Sequence, residues 1–156
     1  MQLPDRQVRA AARFSELDEF DATAFDNHPL WSIRPPAVVV VDDDQSLVEL
    51  LGRVLRTAVV KYETVVLTDA AEALAQCASR PVPLMIVDLN MPGMNGLQLI
   101  AQMRARSPQT RVLLMTAYTM PILEQLARKG YIDYYLPKPF QIVTLEQLVS
   151  AALATS

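Results

Sequence analysis

Five times between Ala37 and Ala154 a short apolar run gives way to a segment with helical spacing. Such alternation calls for parallel strands joined by crossover helices, because a parallel neighbour is reached only through a connection of a dozen or more residues. The first run, Ala37–Val41 (AVVVV), is continuous rather than alternating, so both of its faces are expected to be buried. A chain of 156 residues with 51% hydrophobic and 20% charged side chains can fill one core and is too apolar for disorder.

The remaining strands are expected at Val65–Leu67, Leu84–Val87, Arg111–Met115 and Tyr134–Leu136. Leu47, Leu50, Leu51, Val54 and Leu55 set a helix over Gln45–Ala58, and Asp69 can cap a second over Ala70–Ser79. Asn95 opens a third, with Gln98 completing a capping box. A fourth is expected over Pro121–Lys129, and a fifth opens at Thr144 with Gln147 and ends near Ala154. Right-handed crossovers and five strands predict a doubly wound (βα)5 three-layer sandwich of flavodoxin-like type, its parallel sheet ordered 2-1-3-4-5.

Residues 1–35 are of another kind, with six acids, four arginines and a helical pattern over Pro4–Phe20 that forms no clean apolar stripe. They are expected to form an N-terminal extension or linker ahead of a domain at 36–156. Two readings stay open: a partly ordered tail, or a docking or dimerising segment anchored by Phe14, Leu17, Phe20, Phe25 and Trp31.

Several classes are excluded. No apolar run approaches the ~18 residues that cross a bilayer, and the N-terminus lacks the apolar region of a secretory signal. Cys77, the single cysteine, cannot form an internal disulfide, which suits a cytoplasmic location. A net charge of −3 gives no electrostatic case for nucleic acid.

Unusual polar residues fall at the expected carboxyl ends of the strands, where open parallel sheets bind ligands. Strand 1 runs into Asp42-Asp43-Asp44, strand 3 into Asp88, strand 4 into Thr116 and strand 5 into Lys138-Pro139. Close carboxylates repel unless a cation intervenes, and Mg²⁺ is held by one or two carboxylates while keeping waters and phosphate oxygens. A lysine nearby suits a phosphoryl group, and an aspartate can act as the nucleophile. Singly, each has a plainer reading: a strand-to-helix turn with an N-cap for Asp42–Asp44, a turn residue for Asp88, a solvated charge for Lys138. Their convergence from different strands makes coincidence the weaker account.

The segments VVVVDDDQSL (Val38–Leu47), LMIVDLNMPGMNG (Leu84–Gly96), VLLMTAY (Val112–Tyr118) and YLPKPF (Tyr135–Phe140) resemble the receiver domain of two-component response regulators, over residues 36–154. Spacings of 45 residues from Asp43 to Asp88, 28 on to Thr116 and 22 on to Lys138 fit that resemblance. It implies that Asp88 is the phosphoryl acceptor, with Asp42 and Asp43 the acidic pair for Mg²⁺ (or Mn²⁺) and Asn90 lending a backbone carbonyl. It makes Thr116 the switch hydroxyl, Lys138 the phosphoryl-pairing lysine before a cis proline, and Tyr135 the switch aromatic. The implied donor is a sensor histidine kinase or phosphotransfer protein. The phosphoryl group would switch a surface around helix 4, strand 5 and helix 5, with no turnover of a separate substrate beyond self-phosphorylation and autodephosphorylation. The target is a downstream protein or an output domain outside this sequence, and a homodimer on phosphorylation is left open.

Some positions depart from the family pattern. Tyr131 stands where glycine is usual, with Gly130 one place earlier, so the turn before strand 5 is expected to be shifted. Tyr118 is bulky and is expected to crowd out water and slow the loss of phosphate. Two rivals remain: an aspartate-nucleophile Mg²⁺-dependent phosphatase resembling the haloacid dehalogenase family, against which Asn90 counts because that family has a second aspartate there, and a degenerate receiver that only binds protein. The chain ends just after the last expected helix, so no output module is expected within it. His28 reads as a surface residue, Asp69, Glu72 and Asp133 as cap or surface charges, and Met85, Met103 and Met115 as core.

Overall fold

In a computed structural model, which describes residues 34–117 and 121–154, five parallel strands form one sheet in the order β2-β1-β3-β4-β5. The strands are β1 (Ala37–Val41), β2 (Glu63–Leu67), β3 (Leu84–Asp88), β4 (Arg111–Thr116) and β5 (Tyr134–Pro137). Five helices connect and follow them: α1 (Gln45–Ala58), α2 (Ala70–Ser79), α3 (Gly96–Arg106), α4 (Ile122–Arg128) and α5 (Ile142–Ala154). The doubly wound architecture and its strand order are as the sequence predicts.

The sheet divides the core in two, because successive side chains of a strand point to opposite faces. Val39, Val41, Met85, Val87, Val112 and Leu114 meet α2, α3 and α4 on one face. Val38, Val40, Leu84, Ile86, Leu113 and Met115 meet Val48, Leu51 and Leu55 of α1 and Leu145 and Val149 of α5 on the other. All five residues of β1 are buried, which accounts for its unbroken AVVVV run.

Local signals place most boundaries. Asp44 caps α1 by accepting from Leu47 N–H at 3.2 Å, and Asp69 caps α2 through Ala71 N–H at 2.9 Å. At α3 the capping box is complete: Asn95 Oδ1 accepts from Gln98 N–H at 2.9 Å, and Gln98 Oε1 accepts from Asn95 N–H at 3.0 Å. Several boundaries differ from expectation by one residue, and two starts differ by two. β2 starts at Glu63 rather than Val65, because Glu63 N–H bonds Pro36 C=O at 3.0 Å and its residue pairs with Ala37. α5 starts at Ile142 rather than Thr144, since the carbonyl of Gln141 already accepts from Thr144 and Leu145 N–H.

Gly130 takes φ +76° at the end of α4. Gly130 N–H reaches Ala127 C=O at 3.1 Å and Tyr131 N–H reaches Leu126 C=O at 3.0 Å, the paired bonds of a Schellman stop. The left-handed position thus falls on Gly130, and Tyr131 follows it in place of the usual glycine. Tyr118, His28, Trp31 and the other proposed anchors of the extension lie outside the described residues.

Candidate functional site

Register delivers the site. Val41 pairs with Val87, so the residues that follow, Asp42 and Asp88, leave neighbouring strands at the same level of the sheet. Asp88 pairs with Met115, and Thr116 pairs with Pro137, next to Lys138. Lys138 N–H donates to Thr116 C=O at 2.7 Å, and the Lys138–Pro139 peptide is cis, as the resemblance implies. Adjacent strands lie ~4.8 Å apart, so side chains from β1, β3 and β5 meet only because they leave at one edge and turn inward.

Asp42 and Asp88 are buried, at 1% and 6% exposure, whereas Asp43 is exposed. Carboxylate oxygens of the three lie within 4.8 Å of one another. Lys138 Nζ donates to Asp42 Oδ2 at 2.7 Å and to Asp88 Oδ1 at 3.2 Å. Asp42 Oδ1 accepts from Asp44 N–H at 2.9 Å, so each oxygen of that carboxylate has a protein donor. The three aspartates therefore divide the labour: Asp42 is clamped inside, Asp43 faces outward, and Asp44 caps α1. Both readings of the triplet hold at once, a helix-capping turn and a cluster of acids.

Burial, followed by the charge of Asp42, pushes the Asp88 carboxyl above its ordinary value; Lys138 and the backbone N–H of Asn90, which hydrogen-bonds the carboxylate, act in the opposite direction. For Lys138, burial pulls the ammonium down, but hydrogen bonding and charge from Asp42, then Asp88, outweigh it and leave the group raised. Three carboxylates against one ammonium leave the edge short of positive charge. Oxygens on opposite sides of an octahedral Mg²⁺ stand ~4.2 Å apart, so this donor set fits a small hard cation with little adjustment.

Two further placements matter. Thr116 is fully buried at the end of β4, and Tyr135 is half-buried against the face that holds Val87, Leu99 and Leu123. Gly96 is a requirement that the residue pattern left unexplained: a Cβ there would collide with the Asp88 carbonyl oxygen and lie 2.9 Å from Leu89 Cα. The first turn of α3 is thereby pressed onto the backbone of Asp88 and Leu89, with Gly96 N–H bonded to Leu89 C=O at 2.9 Å. Asp133 is exposed, as expected of a cap or surface charge, and is also tied into the fold. Its carboxylate binds Arg104 Nη2 at 2.9 Å and Val112 N–H at 2.8 Å, at the opposite end of the sheet.

The family model of the response regulator receiver domain matches residues 38–150. The DNA-binding transcriptional regulator NtrC of Escherichia coli strain K12 is 37% identical over 118 residues, covering 75% of this chain and 24% of that protein. Response regulator protein FleR of Pseudomonas aeruginosa is 40% identical over 114 residues, 72% of this chain and 24% of its own. The chain thus spans about a quarter of the length of these curated relatives. Among solved structures, the chemotaxis protein CheY4 of Vibrio cholerae superposes with a TM-score of 0.68 at 29% identity, over 76% of this chain and 99% of that one. The Thermotoga maritima response regulator TrrA, solved in complex with Mg²⁺ and BeF, gives a TM-score of 0.64 at 28% identity over 75% and 98%.

Proposed function

The chain belongs to the response regulator receiver family and is a phospho-accepting receiver of two-component signalling; from that premise we propose that Asp88 is its acceptor and that Asp42, Asp43 and Asp88 hold Mg²⁺. The observation that carries the assignment is the Lys138 ammonium set between Asp42 and Asp88, with the Asp43 carboxylate beside them. In the proposed step an Asp88 carboxylate oxygen attacks phosphorus and forms the new P–O bond. The bond from phosphorus to the donor's nitrogen or oxygen breaks, and its electron pair leaves with the donor, which takes up a proton. When bound, Mg²⁺ would supply charge neutralisation for the phosphoryl oxygens.

The chain's own residues do the rest. Lys138 offers an ammonium to the phosphoryl oxygens. The Asn90 N–H keeps the acceptor carboxylate oriented, and Gly96 lets α3 fix the backbone that carries it. Thr116 and Tyr135 would transmit occupancy of Asp88 to the face of α4, β5 and α5, a local charge change read out by a two-state element. The implied donors are a histidine kinase or phosphotransfer protein, with a downstream protein or a further domain of a longer chain as target. No helix among the described residues is long and apolar enough to cross a membrane. The phosphatase rival is not favoured, since Asn90 occupies the place of its second aspartate.

The test is chemical labelling with acetyl phosphate and Mg²⁺, read by intact-protein mass. Wild type is expected to gain one phosphoryl group and Asp88→Asn none. Label that persists in the variant and maps to Asp42 or Asp44 overturns the assignment.

A further inference from the structure

The amino end of the sheet, away from Asp88, holds cations that the fold does not consume. We propose that its basic corner, where α3 and α4 end and β4 begins, seats the acidic stretch of residues 14–33 of a second copy of this chain. Arg104 binds the carbonyls of Thr110 at 2.7 Å and Tyr131 at 3.3 Å and the Asp133 carboxylate at 2.9 Å, so α3, β4 and the turn before β5 meet there. Arg106 in the last turn of α3, Arg111 at the start of β4, and Arg128 and Lys129 at the end of α4 flank that meeting point. Asp133 faces Arg104 and Arg111, and Glu124 reaches Arg128 at 3.8 Å. Arg106 and Lys129 are exposed and make no ion pair among the described residues. Tyr131, 44% exposed, adds an aromatic ring to the same corner.

The complement to this corner lies in the sequence. Lysines and arginines balance aspartates and glutamates over residues 34–156, so the net charge of −3 belongs to residues 1–33. Residues 14–33 hold Glu16, Asp18, Glu19, Asp21 and Asp26, no lysine or arginine, and four aromatic side chains to meet Tyr131. An acidic chain favours such a peptide over nucleic acid as the occupant. The link into β1 favours exchange between copies. Pro35 and Pro36 hold the backbone extended, and Pro36 C=O is fixed to Glu63 N–H of β2 at 3.0 Å, whereas the corner lies toward the opposite edge of the sheet. A stiff link on the far side of the sheet disfavours a return to the same molecule. Reciprocal exchange closes a twofold dimer with two identical contacts. Once one contact forms the second is intramolecular, so two weak, salt-screened contacts hold as a stronger pair.

The experiment is sedimentation velocity of the full chain over a concentration series at low and high salt, with circular dichroism to check that each variant is folded. Wild type is expected to dimerise at low salt and to dissociate at high salt. Arg106→Glu with Lys129→Glu, and separately Asp18→Lys with Glu19→Lys, are each expected to weaken association by about tenfold. Mixing these two variants is expected to restore it to within about threefold of wild type, since each altered surface then meets its complement. Tyr131→Ala, which removes the ring and keeps the carbonyl that Arg104 binds, is expected to weaken association by about threefold. Should a charge reversal fail to fold, glutamine at Arg106 and Lys129, or the amides at Asp18 and Glu19, take its place, with weakening of about threefold expected. A chain that stays monomeric at low salt, substitutions that leave association unchanged, or a mixture no more associated than its two components overturns the inference. A monomer whose corner instead takes up duplex DNA overturns it in favour of a nucleic-acid surface.

Discussion

The two ends of the sheet treat charge in opposite ways. At the carboxyl end, Asp42, Asp43 and Asp88 share one ammonium, Lys138, and the Asp88 carboxyl is pushed upward by burial and by its acidic neighbour. At the amino end the anions are outnumbered. Asp133 accepts from Arg104 and from Val112 N–H and faces Arg111 at 3.7 Å, while Glu63 pairs with Arg80 at 2.6 Å. Arg104 also donates to Thr110 C=O at 2.7 Å and Tyr131 C=O at 3.3 Å, which ties α3 to the segments leading into β4 and β5. The carboxylates that close the fold find their partners within the protein. Those at the carboxyl end are left wanting a cation, and that shortage is what a metal and a phosphoryl group can use.

The largest effect that would break this contrast comes from Gly96. Its missing Cβ lets α3 rest on the backbone of Asp88 and Leu89. Gly96→Ala is expected to lower stability by about 3 kcal/mol, because the colliding atoms are backbone and cannot rotate aside. It should also slow phosphorylation, since the acceptor moves with its backbone. Urea denaturation and acetyl phosphate labelling would measure both. A variant that loses stability and labels normally would mean that the acceptor is insulated from α3.

Asp133→Ala probes the other end. Removing this carboxylate leaves Arg104 without its ion pair and Val112 N–H without an acceptor, an expected loss of about 2 kcal/mol. The labelling rate should stay within twofold of wild type. A rate that fell in step with stability would show that the ends are coupled, contrary to the division drawn above.

The same division explains what could be read from the residues alone. Caps are local: Asn95 and Gln98 stand three residues apart, as do Asp44 and Leu47, so a short window contains the whole interaction. The continuous AVVVV run and the helical periodicities likewise carry their own evidence. The Arg104–Asp133 pair spans 29 residues and the Lys138–Asp42 pair spans 96, and no window reveals either. The carboxyl-end residues were still legible, because parallel topology sends every strand's last residue to one edge and the family resemblance names the same positions. The amino end has no such guide, so the ties of Asp133 to Arg104 and Val112 are not legible in the sequence, although its exposure is. The start of α5 is hidden for a related reason: Thr144 resembles a cap, but the carbonyl of Gln141 begins the helix.

A smaller expected effect tests the shortage of positive charge directly. At a Mg²⁺ concentration ten times its dissociation constant, wild type should gain about 1.4 kcal/mol of stability. Asp43→Ala should lose most of that gain while being no less stable than wild type in metal-free buffer, because repulsion is relieved. Denaturation with and without chelator checks it. A metal-induced gain unchanged in Asp43→Ala would place the cation elsewhere.

The smallest effect is one of pH, and its sign separates two forces acting on the same carboxylate. Asp88 is raised above its ordinary 3.8 in the folded protein, so between 3.8 and its folded value the native state holds more protons than the unfolded chain. Stability attributable to Asp88 therefore falls as pH rises through that window and stays low above it. Lys138, raised above 10.5, contributes stability that is intact below 10.5 and lost only as pH climbs through its higher folded value, so it adds no slope in the acid window. Without metal, Asp88→Asn is thus expected to be more stable than wild type at pH 7, and the gap should close as pH is lowered toward 3.8. Comparing the two proteins by urea denaturation in chelator cancels the titration of groups that do not interact with Asp88. An asparagine variant that is less stable at pH 7 would show that the Lys138 contact outweighs burial and the charge of Asp42, and the carboxyl end would then be as well satisfied as the amino end.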